Sequence, residues 1–243
     1  MDTRYVVIFV TALTAGVAVF LTSFRQVTKP VADRNEEIFN KRAILSAVGD
    51  YLGEGVQVKD LKDDQVLDIF DKQVQQVVLN LQGEEVDGMK AEDIDMAKEK
   101  KKADSDKRLP LFVFSQGGEK FYILSIRGVG LWDEIWGNIA LKSDLNTIAG
   151  ASFDHAGETP GLGAEIKDNA SFPRSFKEKQ IFKGGEYVSV NVRKGGAIDQ
   201  KHDVDGITGA TVTSDGVTDM LYDGIKNYLP YFNSLRRQGM LVK

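Results

Sequence analysis

An unbroken apolar run without a charge, Tyr5 to Phe24 (YVVIFVTALTAGVAVFLTSF), opens the chain and is as long as a bilayer-spanning helix requires. A cleaved signal peptide has a shorter apolar core and a small-x-small cleavage site, so the pattern predicts an uncleaved anchor. Beyond it, Ile38, Ala43, Ile44, Leu45 and Val48 recur among charges, which predicts a juxtamembrane amphipathic helix over Val31–Val48. A helix around Asp63–Lys72 is expected to lead into a strand at Gln75–Leu81. Met89 to Arg108 is dominated by Lys, Glu and Asp and reads as a solvated helix or mobile loop. Strands are then expected at Leu109–Ser115 and Lys120–Arg127, joined through Gln116-Gly117-Gly118-Glu119 as a hairpin. Ile135–Leu141 and Thr147–His155 follow, and Glu178–Phe182 with Tyr187–Arg193 form a further strand pair. From Gly216, the residues Val217, Met220, Leu221, Ile225, Tyr228 and Leu229 repeat at helical intervals, giving a helix that stops at Pro230.

Strands in the middle and helices towards the ends predict an α+β fold with mixed or antiparallel sheets flanked by helices, after one N-terminal transmembrane helix. The expected organisation is a short segment 1–4, the membrane helix 5–24, a juxtamembrane helical and charged region 25–108, and a soluble domain core 109–243. Charge refines this picture. A net charge of -5 leaves no basic patch for nucleic acid. The absence of cysteine excludes disulfides, thiol catalysis, cysteine-ligated zinc, iron–sulfur clusters and a lipobox anchor within the chain. Arg4 precedes the span, while Arg25, Lys29 and Arg34 follow it, but large domains translocate largely regardless of flanking charge, so topology stays open. The span holds no acidic residue and is a poor ion path.

The chemistry concentrates in two places. Near the C-terminus the chain reads Asp205-Gly206-Ile207-Thr208-Gly209-Ala210-Thr211, followed by Val212 and a capping cluster of Thr213, Ser214 and Asp215. Small residues leave the Thr211 hydroxyl open beside a helix N-terminus, where free N–H groups and the helix dipole favour a phosphate. The plainer alternative is a helix cap by Thr213 or Ser214. Earlier, Asp154 to Gly163 packs Gly157, Pro160, Gly161 and Gly163 into a tight loop in which backbone N–H groups can approach a ligand. Leu162 could offer an apolar surface there, with polar contacts from Glu158 and Thr159. This loop is neither a Rossmann fingerprint nor a Walker A loop. Trp132 and Trp136, four residues apart, are core or interfacial residues on pattern alone. His155 and His202, each beside an aspartate, are read as non-ligands, so no metal site is expected. No catalytic triad or paired carboxylates stand out, and no catalytic residue is assigned.

Together, Glu-Thr-Pro-Gly-Leu-Gly and the later Asp-x-x-Thr-Gly-Ala-Thr resemble the FMN-binding domain family, in particular two kinds of membrane-anchored component with covalent FMN. One is the C subunit of the Na+-translocating NADH:quinone reductase, to which the length is closer. The other is the G subunit of the ferredoxin-oxidising Rnf complex. The resemblance implies FMN joined through its phosphate to Thr211, with Thr208, Gly209 and Ala210 walling the phosphate and Asp205 in the segment read by a flavin transferase. It implies that Glu158, Thr159, Gly161 and Leu162 line the flavin, that Lys194 reaches the phosphate or ribityl chain, and that Trp136 neighbours the ring. It also implies an electron-relay role in a multi-subunit respiratory complex. The anchor would sit in the bacterial inner membrane, with the FMN domain on the outer, periplasmic face. An anchored module without redox function is the remaining alternative.

Overall fold

The computed structural model describes residues 2–239, so Met1 and residues 240–243, at the two ends of the expected organisation, lie outside it. The first helix, α1, runs Thr3–Ser46 and contains the whole expected span, with Pro30 inside it. It is the one helix among the described residues long and apolar enough to cross a membrane. The chain divides into two units, Met1–Asn40 and Lys41–Lys243.

The second unit is built on an antiparallel meander of five strands: β1 (Val74–Leu79), β2 (Leu109–Gln116), β3 (Glu119–Val129), β4 (Glu134–Leu141) and β5 (Ile148–His155). Its first strand comes from within the segment 25–108. Side chains alternate across a strand, and here both faces are apolar. Leu111, Leu124, Ile126, Ile135 and Ile139 enter one core. Val78, Phe112, Phe114, Ile123 and Ala140 enter the other. Burial of each such side chain contributes about 1.5–3 kcal/mol, so a sheet apolar on both faces must be covered on both. Ile44, Leu45 and Val48, from the end of α1 and the turn after it, cover the second face together with Val66 and Phe70 of α2 (Asp63–Gln73).

Over the first face lie α6 (Thr211–Lys226) and α7 (Leu229–Arg237), with Ile166 of α4 (Glu165–Asp168) and Phe172 of α5 (Ser171–Arg174). The remaining short elements are α3 (Met96–Glu99), β6 (Phe182–Lys183), β7 (Glu186–Tyr187), β8 (Asn191–Arg193) and β9 (Asp203–Asp205). The α+β class with a flanked antiparallel sheet is therefore as the pattern predicts.

Three local expectations change. The strand pair 178–182 and 187–193 is split, because Ser189 adopts φ 61 and interrupts the extended run. β6 pairs instead with β7, and β8 pairs in parallel with β9, a short strand whose two aspartates give no alternating signal. Secondly, Pro230 does not end the helical region. It occupies the first turn of α7, where its missing N–H costs nothing. Thirdly, the charged segment is not wholly solvated: Ala91 and Glu99 are buried, and Glu99 accepts bonds from Lys102 Nζ (2.7 Å) and the Arg108 N–H (2.9 Å).

Candidate cofactor site

β5 ends at His155, and the loop after it folds back over the sheet. His155 Nδ1 accepts the Glu158 N–H at 3.1 Å, turning the chain inward. Thr159 O then accepts the N–H groups of Leu162 and Ala164, each at 3.1 Å, closing the loop around Gly161 at φ +73. The Glu158 side chain is buried. Its Oε1 accepts the Trp132 N–H at 3.0 Å and its Oε2 accepts the Thr213 hydroxyl at 2.7 Å. Gly130 and Gly163 close on the same carboxylate, and a Cβ on either would overlap it. Glu158 thus faces inward, stapling the β3–β4 turn and the 158–163 loop to α6. Each of its carboxylate oxygens is engaged by a donor of the chain itself.

The second cluster meets this loop at the start of α6. That helix begins at Thr211, before the expected capping cluster, because Thr213 and Ser214 point their hydroxyls inward. Thr213 donates to Glu158, and Ser214 Oγ accepts the Ile207 N–H at 3.1 Å. The N-cap residue is Ala210, which offers no side-chain acceptor. The first intrahelical bond runs from the Ser214 N–H to Ala210 O (2.9 Å), which leaves the N–H groups of Thr211, Val212 and Thr213 without helical partners. The half-buried Thr211 occupies the first helical position. Gly209, at φ +80, turns the chain into the helix, and a Cβ there would stand 2.8 Å from Leu162 Cδ2. Leu162 therefore sits directly on the Thr-Gly-Ala-Thr turn, and the two sequence clusters are one site.

Asp205 and Lys194 are joined more loosely. Asp205 Oδ1 accepts the Ala197 N–H at 2.7 Å, and the Gly206 N–H donates to Arg193 O at 2.7 Å. These bonds stitch the turn carrying the exposed Lys194 to the start of the segment leading to Thr211. Buried Asp203 fixes the same turn from below through Arg193 Nε at 2.7 Å. Burial pushes the Asp203 carboxyl up, but donors from Asp199, Arg193, Asn191 and Ile198 outweigh it and hold it below the usual range.

Trp136 is not brought to this cluster. It alternates with Ile135 and Ile139, so it projects from the opposite face of the sheet to α6, where the Arg127 guanidinium lies 4.8 Å from its ring centre. The aromatic residue at the site is Trp132, 69 % exposed in the β3–β4 turn and tied by its N–H to Glu158. The resemblance pointed to Trp136 and passed over Trp132. The available signal was the turn composition Gly130-Leu131-Trp132-Asp133, which places Trp132 outside the strands. Leu131, Leu162 and Val212 add further exposed apolar surface to the cluster.

The family model of the FMN-binding domain matches residues 130–226, from the glycine against Glu158 to the last residue of α6. The C subunit of the Na(+)-translocating NADH-quinone reductase of Pseudomonas aeruginosa is 32% identical over 84% of each chain. The chain belongs to this C-subunit family. The counterpart from Neisseria meningitidis serogroup A is 40% identical over 119 residues, 48% of this chain and 46% of that relative, so the chain spans about half the length of that protein. The crystal structure of the Parabacteroides distasonis counterpart superposes with a TM-score of 0.73 at 34% identity, covering 84% of this chain and 96% of that one. In this member of the C-subunit family, the residues at the site fit FMN on their own chemistry. An uncapped helix end and a threonine hydroxyl with no partner among the described residues suit the phosphate, and exposed Leu162, Trp132 and Val212 suit the ring.

Proposed function

We propose that this chain carries FMN esterified through its phosphate to the Thr211 hydroxyl, and that it serves as an electron-relay subunit of a Na+-translocating NADH:quinone reductase. The observation that carries the reading is the uncapped start of α6, with the Thr211 hydroxyl, unpartnered among the described residues, at its first position and Leu162 seated on Gly209 beside it. Bound there, FMN would supply reversible electron-carrying chemistry between neighbouring redox centres on the way from NADH to quinone. The chain's own part is positional. The N–H groups of residues 211–213 and the helix dipole hold the phosphate's negative charge. Leu162, Trp132 and Val212 present apolar surface and keep water from one side of the ring, and Lys194 supplies a cation on the adjoining turn. Glu158 holds these parts in register.

No proton transfer is assigned to any side chain, and NADH oxidation and sodium export belong to the assembled complex. On this reading α1 anchors the chain in the bacterial inner membrane, with the FMN domain on the outer face, where a flavin transferase reads the segment from Asp205 to Thr211. The test is flavin fluorescence of the protein on a denaturing gel after co-expression with the transferase. A bright band that disappears in Thr211→Ala is the expected result. A dark wild-type band, or one that stays bright in Thr211→Ala, overturns the assignment.

A further inference from the structure

A second feature of the domain lies apart from Thr211. Between α6, β3 and the charged segment after α3 runs a groove of about 390 Å3. Its floor is the glycine backbone of Gly128 and Gly216 over the buried side chains of Ile126 and Met220, while Val129 stands exposed at one end. Some of the charges along it are already paired within the chain. Glu99 holds Lys102 at 2.7 Å and Lys107 holds Asp104 at 2.6 Å, while the Arg127 guanidinium is turned to the opposite face of the sheet, where it holds Glu134 at 2.7 Å. Asp219 and Asp223, on the α6 bank, have no ion pair among the described residues. With Asp215 they form an exposed acidic row at i, i+4 and i+8. Like charges at that spacing destabilise a helix by about 0.2–0.5 kcal/mol per pair. The row therefore opposes folding of α6, and a cation laid along it would relieve the repulsion. Lys100, on the opposite bank, is the one cation of the groove without an ion pair among the described residues.

We propose that this groove is the docking surface for a basic amphipathic segment of another subunit of the complex. Its aliphatic side chains would lie on Val129 and the glycine backbone beside it, its Lys or Arg residues would face Asp219 and Asp223, and an acidic or amide group would face Lys100. Gly216, which lines the groove, is five positions after Thr211, a rise of about 7.5 Å along the helix. A segment seated there places the partner that bears it next to the α6 N-terminus. The redox consequence rests on the FMN reading above, whereas the docking itself does not.

This chain has no cysteine, so a single one can be introduced at a chosen position of it. In the purified complex, Asn227→Cys at the groove is coupled through a short thiol-to-amine cross-linker, and the cross-linked peptides are identified by mass. Glu119→Cys at the β2–β3 hairpin is the control. The expected product joins position 227 to a lysine of one other subunit, and its yield falls about tenfold when Asp219→Lys and Asp223→Lys are added. NADH-driven flavin reduction in the same variant slows by a similar factor at low salt, and Asp219→Asn with Asp223→Asn flattens the salt dependence. A cross-link whose yield ignores the charge reversal, or one that joins two copies of this chain, overturns the proposal. So does a reduction rate that responds to Val129→Glu but not to the aspartates or to salt, which would give the groove to an apolar ligand. Loss of flavin fluorescence in the wild-type complex refutes the FMN reading alone, because the cross-link does not depend on flavin.

Discussion

The inward-facing Glu158 carboxylate is the most consequential structural feature of the site, and its removal has a calculable effect. Glu158→Ala deletes the acceptor for the Trp132 N–H and for the Thr213 hydroxyl. Hydrogen bonds to a charged group contribute about 1.5–3 kcal/mol each. Trp132 lies in an exposed turn, where water can replace the lost partner, so its share is at the low end. Thr213 is fully buried, so its hydroxyl loses its acceptor without access to water, at about 1–3 kcal/mol. The void left between Gly130 and Gly163 adds to this, and relief of a buried charge subtracts. The expected net loss is about 3 kcal/mol.

Glu158→Gln separates charge from shape. Its amide oxygen can still accept from Trp132, and the Thr213 hydroxyl can turn to accept from its NH2 group, so the loss should be about 1 kcal/mol. The assay is urea unfolding of the full chain in mild detergent, followed by tryptophan emission in a Thr211→Ala background to avoid flavin quenching. Its midpoints are converted with a common slope. An alanine variant within about 1 kcal/mol of the parent, or a glutamine variant as unstable as the alanine one, would refute the staple.

Other consequences can be checked alongside. Gly216→Ala puts a Cβ into the Val129 carbonyl, a backbone atom that cannot rotate away. It should destabilise the domain by about 2 kcal/mol or more in the same urea titration, although alanine favours an isolated helix by about 1 kcal/mol. Gly209→Ala sets an L residue at φ +80 with its Cβ against Leu162, so flavin fluorescence per protein on the denaturing gel should fall while Leu162→Ala partly restores it. The turn carrying Lys194 should be acid-sensitive. Lys183 and the Lys201 N–H hold the Asp199 carboxyl down to about 2, and Asp203 is also held below its usual range. Both folded values lie below the unfolded ones, so the stabilisation is complete above the usual carboxylate range near 4 and is lost as pH falls from there towards 2. Hydrogen exchange at the N–H groups of Ile198, Asp199 and Lys201, which donate to these two carboxylates, should accelerate in that window. Unchanged protection at pH 3 relative to pH 6 would refute the linkage.

The hydrophobic pattern was sufficient for the long elements because burial there is periodic. β2 to β5 fall within two residues of their expected bounds, and α2 leads into β1 as the spacing implies. The short elements were not legible. β9 is three residues with two aspartates, one of them buried only because Arg193, Asn191 and backbone donors satisfy it. No local signal announces a buried aspartate whose partners lie elsewhere in the chain. The same limit applied at the site. Spacing singled out Glu158, but its direction depends on Thr213, 55 positions away, and on the β3–β4 turn. The choice between Trp132 and Trp136 turned on strand parity, which a sequence fixes only once strand ends are known to the residue.

The start of α6 shows why the threonine-rich turn was ambiguous in the sequence. A helix end with Thr211, Thr213 and Ser214 in its first turn has ample means to cap itself, and a lost cap costs about 1 kcal/mol. None of these hydroxyls is used that way. Thr213 is drawn to Glu158, Ser214 to the Ile207 N–H, and Ala210 takes the cap position. Each diversion ties the helix to a different part of the chain: the 158–163 loop in one case, the 205–209 turn in the other. The helix so anchored is the one that packs across β3, with Gly216 against the Val129 carbonyl. The open N–H groups and the Thr211 hydroxyl, without a partner among the described residues, therefore sit on a firmly held element with little freedom to close over them. A terminus kept bare on such a support is preorganised for an anion supplied from outside the chain, and that physical argument for Thr211 is independent of the motif it belongs to.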